Sequence, residues 1–217
     1  MHVLLTAGPT YEPLDPVRFL GNRSTGKMGY ALAEAFAATG ATVTLISGPV
    51  ALPAPASPLV RLTRVETARQ MFEAAAEAAP AADIWVFAAA VADYRPAEVA
   101  TEKIKRAGDT LTLTLVKNVD IAATLGAAKR AEQFSVGFAL ETTDELAHAR
   151  GKLARKNFDL VVLNSLRDAG AGFGYDTNQV SVLDRAGQVL NFELQAKTTL
   201  AHALVALILT RFSAAYA

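Results

Sequence analysis

Short apolar runs alternate with helical patterns along most of this 217-residue chain, and this alternation limits the fold more than any other feature. Residues 84–89 are apolar throughout, and residues 3–6 and 43–46 are apolar except for Thr6 and Thr44, as in strands buried on both faces. The helical patterns at residues 28–39 and 66–79 separate them. Strands of this kind, joined by helices, form a parallel sheet with helices on both sides. The sequence therefore predicts an α/β fold with a Rossmann-like, mainly parallel sheet.

The second half of the chain continues this pattern less regularly and ends in an antiparallel hairpin. An alternating Leu-Thr run at 111–116 predicts a half-exposed strand. Two runs flank the turn sequence Asp-Arg-Ala-Gly at 184–187, which predicts a hairpin. The other predicted elements are strands at 135–139 and 160–163 and helices at 144–156 and 197–212. We find no repeat and no linker, so we expect one domain over residues 1–217.

Composition excludes several classes of function. The chain has no cysteine, which rules out disulfides, zinc–thiolate sites and thiol catalysis. Its 21 basic and 21 acidic residues balance, so we expect no general binding to nucleic acid or acidic membranes. The apolar stretch at 200–209 is shorter than the ~20 residues that span a bilayer. Residues 1–5 lack the pattern of a signal peptide, so we expect a cytoplasmic location.

Two connections are long for a compact α/β domain. Residues 8–25 and 91–109 both follow predicted parallel strands. Ligands of open α/β sheets bind at the carboxyl ends of the strands, and long loops in such folds are commonly functional. We therefore expect the binding site at this edge of the sheet.

A glycine-rich segment, GNRSTGKMG at residues 21–29, opens the first long helix. Glycine lets the backbone approach a phosphate, and a helix N-terminus presents unpaired N–H groups with a partial positive charge. The segment therefore predicts a phosphate site. The structural alternative is a capped helix start that packs tightly on the sheet.

Two familiar phosphate motifs fit the segment only in part. Residues 21–27 match G-x-x-x-x-G-K, but Met28 stands where a P-loop has a Mg²⁺-binding Ser or Thr. A dinucleotide fingerprint would begin at Ser24 in place of its first glycine. The second strand is followed by Ser-Gly-Pro at 47–49, without the acidic residue that binds an NAD ribose. Hydride transfer is thus the weaker interpretation.

Several ordered blocks of the sequence lie at residues 7–19, 22–29, 89–95, 102–106, 117–121, 136–138, 152–157 and 172–178. Together they resemble the bacterial phosphopantothenoylcysteine synthetases of coenzyme A biosynthesis. Family members join 4′-phosphopantothenate to cysteine. The carboxylate attacks the α-phosphate of CTP, pyrophosphate leaves, and the cysteine amine then displaces CMP from the acyl-cytidylate. The resemblance implies Mg²⁺ as cofactor, a homodimer, and in many bacteria a phosphopantothenoylcysteine decarboxylase in the same chain.

The resemblance also implies roles for individual residues. Asn22 and Lys103 would act in catalysis, and Asp93 would contact nucleotide through Mg²⁺. Arg18 would bind the phosphate of a substrate held by the neighbouring subunit. The substrate contacts would be Arg18, Asn22, Ala89, Ala90 and Asp93. The nucleotide contacts would be Gly8, Ser24, Gly26, Gly29, Asp93, Lys103, Lys117, Asn118, Val119, Asp120, Phe138, Lys152, Lys156 and Asn164.

Several of these residues also have an ordinary structural explanation. Asn22 fits a turn, Arg18 a surface salt bridge, and Phe138 the core. The lysines fit a solvated loop or helix face. The chain departs from the family pattern at Val119, where proline is common, and at Ser165, where aspartate is common. The histidines are scattered, so no general base is assigned.

Three questions stay open at this level. The main alternatives to a ligase are an NAD(P)-dependent reductase and a non-catalytic nucleotide-binding domain. The sequence does not distinguish CTP from ATP as donor. It also leaves open whether the chain is a free-standing synthetase or part of a bifunctional protein.

Overall fold

The structure is a computed structural model and describes residues 1–106, 108–141, 144–165 and 174–216. The strands of this part of the chain are β1 (His2–Ala7), β2 (Tyr11–Pro13), β3 (Phe19–Gly21), β4 (Thr42–Ser47), β5 (Val60–Arg64), β6 (Ile84–Phe87), β7 (Tyr94–Pro96), β8 (Leu115–Lys117), β9 (Phe134–Glu141), β10 (Leu160–Ser165), β11 (Thr177–Asp184) and β12 (Val189–Ala196). The α-helices are α1 (Lys27–Ala38), α2 (Ala68–Ala78), α3 (Ile121–Ala127), α4 (Glu145–Arg155) and α5 (Lys197–Tyr216).

One eight-stranded sheet runs through the molecule in the order β5-β4-β1-β6-β9-β10-β11-β12. The strands from β5 to β10 are parallel. β11 runs antiparallel to both of its neighbours. The chain goes from β1 to β4 and β5 on one side and then returns to β6 on the other, so strand order reverses between β1 and β6. The predicted Rossmann-like fold with a late antiparallel hairpin is confirmed.

Each face of the sheet carries its own layer of helices. Val3 and Leu5 of β1 point to the core shared with α1 and α5, and Leu4 points to the core shared with α2, α3 and α4. This alternation follows from the two-residue period of a strand. All three side chains are at most 1% exposed, which explains why these three consecutive positions are apolar.

Helix α5 is, among the described residues, the one helix long and apolar enough to cross a membrane by length and composition. It extends four residues beyond the predicted end at residue 212. Core helices of soluble proteins pass the same test, and Leu200, Leu204 and Ile208 of α5 lie in the core beside α1. Its opposite side, including His202, is exposed, so the burial of α5 is that of an amphipathic helix.

The structure differs from the sequence prediction in several elements. Residues 60–64, for which the sequence predicted no strand or helix, form the edge strand β5. Helix α3 was not predicted because its seven residues are too few to show a helical period. The strand expected at 111–116 begins only at Leu115. The two long connections contain small antiparallel ribbons, β2–β3 in the first and β7 in the second, paired with β8.

Candidate active site

A cavity of about 400 Å³ opens at the carboxyl edge of the sheet, between the start of α1 and the loops after β6 and β8. The positions of the two long connections predicted a binding site at this edge of the sheet. The cavity also lies next to the point between β1 and β6 where the strand order reverses. The cavity brings together most of the predicted site residues: Asn22, Ser24, Gly26, Gly29, Ala89, Ala90, Asp93, Asn118, Val119, Asp120, Phe138, Lys152, Lys156 and Asn164.

Helix α1 begins at the cavity with a backbone that requires glycine. Gly26, the N-cap residue, has φ 76°, and no side chain caps the helix by a hydrogen bond. A Cβ on Gly29 would stand 2.5 Å from the Cβ of Ala7, so a larger residue would push the helix away from β1. The first turn contains no acidic side chain. These features leave the positive end of the helix dipole facing the cavity.

The loop after β6 is bonded to the loop after β1 and to the start of the glycine-rich segment. Ala90 N–H donates to the carbonyl of Gly8 at 2.8 Å. The carbonyl of Ala90 accepts from Thr10 N–H at 3.3 Å and from Asn22 Nδ2 at 2.9 Å. Asn22 Nδ2 also donates to the carbonyl of Val91 at 3.2 Å. The backbone polar groups of Ala90 therefore have protein partners, and its methyl group is what it offers to a ligand.

A second set of hydrogen bonds joins this loop to the segment before α3. Asn118 Nδ2 donates to the carbonyl of Ala92 at 2.8 Å, and Asn118 N–H donates to the carbonyl of Asp93 at 2.8 Å. Arg95 donates to the carbonyl of Lys117 at 2.7 Å and to Asn118 Oδ1 at 3.2 Å. Asn118 thus fixes two walls of the cavity relative to each other, and the carboxylate of Asp93 stays exposed.

Two lysines of the α4 region enter the cavity, and a carboxylate holds each of them. Lys152 Nζ lies 2.7 Å from Glu141 Oε1, and His148 Nδ1 lies 3.3 Å from the other oxygen of the same carboxylate. Lys156 Nζ lies 2.9 Å from Asp120 Oδ1. Asp120 also caps α3, because the same oxygen accepts from the N–H of the third helical residue at 3.1 Å. Each of the two ammonium groups, Lys152 and Lys156, therefore has its own carboxylate partner.

Two further cavity lysines and an asparagine had no role in the sequence prediction. Lys27 Nζ lies 2.6 Å from Asp176 Oδ1, and this contact lowers the pKa of the Asp176 carboxyl. Lys197 Nζ donates to the carbonyl of Tyr175 at 2.5 Å. Asn178 Nδ2 donates to Asn164 Oδ1 at 2.9 Å. Lys27 could have been found from its position directly after the glycines, whereas no local pattern marks Lys197.

The apolar part of the wall includes Val119 and Phe138. Phe138 is half-buried and packs against the core beneath α1 while one side lines the cavity. It therefore combines core packing with a surface on which a base or ribose could lie. Val119 packs against the core on the other face of the sheet.

Four predicted residues lie outside the cavity. Gly8, with φ 73°, directly follows β1 and packs behind Gly26. Lys117 is exposed on β8. Arg18 and Lys103 lie on the two long loops and do not line the cavity. Residues 172–173 and the side chain of Ser165 fall outside the described part of the chain.

Arg18 is held against the second long loop by a buried carboxylate. Asp15 Oδ2 accepts from Arg18 Nη2 at 2.5 Å and from Ile104 N–H at 3.1 Å, and Arg18 Nη2 donates to the carbonyl of Ile104 at 2.8 Å. The hydrogen bond from Arg18 dominates, and it holds the pKa of Asp15 far below its usual range. The Arg18 side chain is still 42% exposed, so Arg18 is both a salt-bridge partner and accessible.

No group of three or more His, Asp or Glu side chains that could bind a metal ion occurs among the described residues. Asp93 is the exposed carboxylate of the loop after β6. Mg²⁺ in nucleotide sites is commonly held by one or two carboxylates together with phosphate oxygens. The donor set therefore fits a magnesium ion that arrives with a nucleotide better than one held by protein alone.

The fold and the cavity define a Rossmann-like domain with a cavity at the N-terminus of its first helix. Residues 1–212 match the family described as "DNA/pantothenate metabolism flavoprotein C-terminal domain". The chain belongs to this family. The solved C-terminal domain of a coenzyme A biosynthesis bifunctional protein CoaBC is 38% identical with a TM-score of 0.83, and the match covers 98% of this chain and 95% of that domain. These findings confirm the resemblance noted in the sequence.

The curated relatives are longer proteins, and the chain spans about half the length of most of them. The Vibrio cholerae bifunctional protein CoaBC is 47% identical over 95% of this chain and 51% of its own length. The Escherichia coli K12 protein of the same name is 44% identical over 98% of this chain and 52% of its own length. A relative from an unknown prokaryote, 49% identical over 96% of this chain, is named a cysteine/cysteine sulfinic acid decarboxylase, and the chain covers 58% of it.

Proposed function

We propose that the chain is a phosphopantothenate–cysteine ligase that uses CTP. The observation that carries the proposal is the cavity itself, where the open start of α1 and four lysines face the same space as Asn22 and the loop after β6. A reaction between a carboxylate and a triphosphate needs such concentrated positive charge. The family and the coenzyme A biosynthesis proteins that share it support the choice of substrate.

The proposed reaction has two steps. A carboxylate oxygen of 4′-phosphopantothenate attacks the α-phosphorus of CTP, the bond to the β-phosphate oxygen breaks, and pyrophosphate leaves. The amine of cysteine then attacks the acyl carbon of the acyl-cytidylate, CMP leaves with the bonding electrons, and the amine loses a proton to water or to a phosphate oxygen.

The chain supplies positions and charges for these steps. The N–H groups at Ser24–Gly29 and the lysines of α4 hold phosphate oxygens, while Phe138 and Val119 form the wall for base and ribose. Asn22, which belongs to the glycine-rich segment and donates a hydrogen bond to the carbonyl of Ala90, would lie at the acyl end. Mg²⁺ would be held by Asp93 and the phosphates, where it would neutralise charge.

In this proposal the protein is a homodimer, and Arg18 and Lys103 act from loops at the rim of the cavity. The loops that carry them are joined by a hydrogen bond from Ala100 N–H to the carbonyl of Leu14 at 3.0 Å. These loops, together with residues 110–116 that follow the second one, expose large apolar side chains, a composition typical of protein interfaces. They are Val17, Phe19, Tyr94, Val99, Leu111, Leu113, Leu115 and Val116. A second copy that covers this surface would receive Arg18 at its substrate phosphate.

The same proposal places the protein in the cytoplasm, without nucleic-acid or membrane partners. A phosphopantothenoylcysteine decarboxylase, as a domain or as a separate protein, would use the product. The bifunctional architecture of the relatives supports this partner.

Pyrophosphate release tests the proposal. Purified protein with Mg²⁺ should release pyrophosphate only when both 4′-phosphopantothenate and a nucleotide are present, with CTP preferred over ATP, and cysteine should convert the intermediate to product and CMP. Folded protein that binds CTP but releases no pyrophosphate would favour a non-catalytic domain. Oxidation of NADH or NADPH would favour a reductase, although β4 ends at the buried Ser47 rather than at a carboxylate.

A further inference from the structure

Lys27 and Lys197 line the cavity but have no part in the roles implied by the family. Lys27 is the first residue of α1 and Lys197 the first residue of α5. The two helices pack against each other on one face of the sheet. Two ammonium groups are thus brought to one corner of the cavity by residues 170 positions apart in sequence, beside the uncapped start of α1.

The environment of Lys197 favours an anion at this corner. The residue is only 7% exposed. Burial lowers the pKa of its ammonium, the positive charge of Lys27 lowers it further, and Asp176 opposes both effects. A second anionic charge nearby would stabilise the ammonium of Lys197 and relieve its repulsion from Lys27.

The carboxylate now paired with Lys27 is easily replaced. The Asp176 side chain is 86% exposed, whereas the Lys27 side chain is 34% exposed. An exposed ion pair of this kind contributes little, because water solvates the carboxylate well. An incoming polyanion of higher charge would therefore displace it at little cost.

We propose that Lys27 and Lys197 bind the pyrophosphate portion of the nucleotide triphosphate, and that Asp176 occupies Lys27 until this anion arrives. The inference rests on the proposed function, since it assigns one end of the same cavity. Two ammonium groups and the first-turn N–H groups of α1 match a group with several charged oxygens better than a carboxylate with two. The lysines of α4 remain for the nucleotide part.

Calorimetric binding of inorganic pyrophosphate, CMP and 4′-phosphopantothenate to the full chain tests the inference. We expect Lys27→Gln and Lys197→Met each to weaken pyrophosphate binding by about tenfold or more and to leave CMP binding within about twofold. Asp176→Asn should tighten pyrophosphate binding by about two- to fivefold, because it removes the competing carboxylate.

The exposed Arg69–Glu73 pair of α2 provides matched controls. Arg69→Gln removes one positive charge and Glu73→Gln one negative charge far from the cavity, so both should leave pyrophosphate affinity unchanged. Thermal unfolding checks that each variant is folded. If Lys197→Met does not fold, Lys27→Gln decides the matter, because the Lys27 side chain is partly exposed.

The pattern of affinities separates the possible failures. Unchanged pyrophosphate affinity in Lys27→Gln, or a loss confined to 4′-phosphopantothenate, overturns the assignment of the pair to pyrophosphate. An unchanged affinity in Asp176→Asn overturns the role of that carboxylate. Wild-type protein that shows the expected binding pattern but forms no product overturns the ligase proposal and leaves the anion site standing.

Discussion

Replacement of Gly29 by alanine would test the contact that seats α1 on the sheet. The new methyl carbon would lie 2.5 Å from the Cβ of Ala7 and 3.3 Å from its Cα. Carbon atoms pack at about 3.5–4.0 Å, so the helix start must move by roughly 1 Å. Overpacking of this kind costs about 1–3 kcal/mol, and the better helix propensity of alanine returns at most about 1 kcal/mol.

We therefore expect Gly29→Ala to destabilise the protein by about 1–2 kcal/mol and to lower its Tm by roughly 2–8 °C. CTP affinity should fall as well, because the displaced helix start carries the phosphate-binding N–H groups. Urea unfolding gives the free energy, and calorimetry gives the affinity.

Gly151 supplies the matched control, because it is also a helical glycine but lies in α4 away from the sheet. A Cβ there would meet Arg155 Nη1 at 2.8 Å, the end of a flexible side chain that can move aside. Gly151→Ala should therefore stabilise the protein by about 0.5–1 kcal/mol. A Gly29→Ala protein as stable as the wild type, with unchanged CTP affinity, would refute the reasoning.

Three further predictions concern the cavity and its rim. Asn22→Ala should leave folding intact, since the side chain is exposed, but reduce product formation about tenfold or more; an unchanged rate would remove Asn22 from the site. Lys103→Gln should slow pyrophosphate release more than it lowers Tm, and a collapse of stability with normal activity per folded molecule would make Lys103 structural. The depressed pKa of Asp15 means that its stabilising effect is full above its unfolded pKa near 3.8 and is lost as pH falls towards the lower folded value. Below about pH 4, the free energy of unfolding should thus fall less steeply with decreasing pH in Asp15→Asn than in the wild type. Urea unfolding at a series of pH values measures this slope, and identical slopes in the two proteins would contradict the prediction.

The strands and long helices of the parallel core were predictable because buried segments are rich in apolar residues, which the local sequence shows directly. β1 and β6 are buried on both faces and accordingly apolar at nearly every position. α3 and β5 were missed for the opposite reason. α3 is too short to show a period, and β5 is an edge strand whose arginines face water.

The site was predictable where one segment carries its own signal. The glycine-rich segment 21–29 marks a helix start by sequence alone, and the structure places it at the cavity. Lys197 could not be found in this way, because only the packing of α5 against α1 brings it to the cavity. Arg18 shows a further limit, since its position relative to the cavity depends on loop packing and, in our proposal, on a second subunit.

The hydrogen bonds of Asn22 determine which half of its amide can meet a ligand. Nδ2 already donates to two backbone carbonyls, those of Ala90 at 2.9 Å and Val91 at 3.2 Å. An inverted amide would set its oxygen against those two oxygens, so the orientation is locked. What Asn22 can present to an incoming molecule is a lone-pair oxygen, which selects for N–H or O–H groups and would repel a bare carboxylate. In a ligase that joins an amine to a carboxylate, the side-chain oxygen of Asn22 is therefore better suited to bind the amine than the carboxylate.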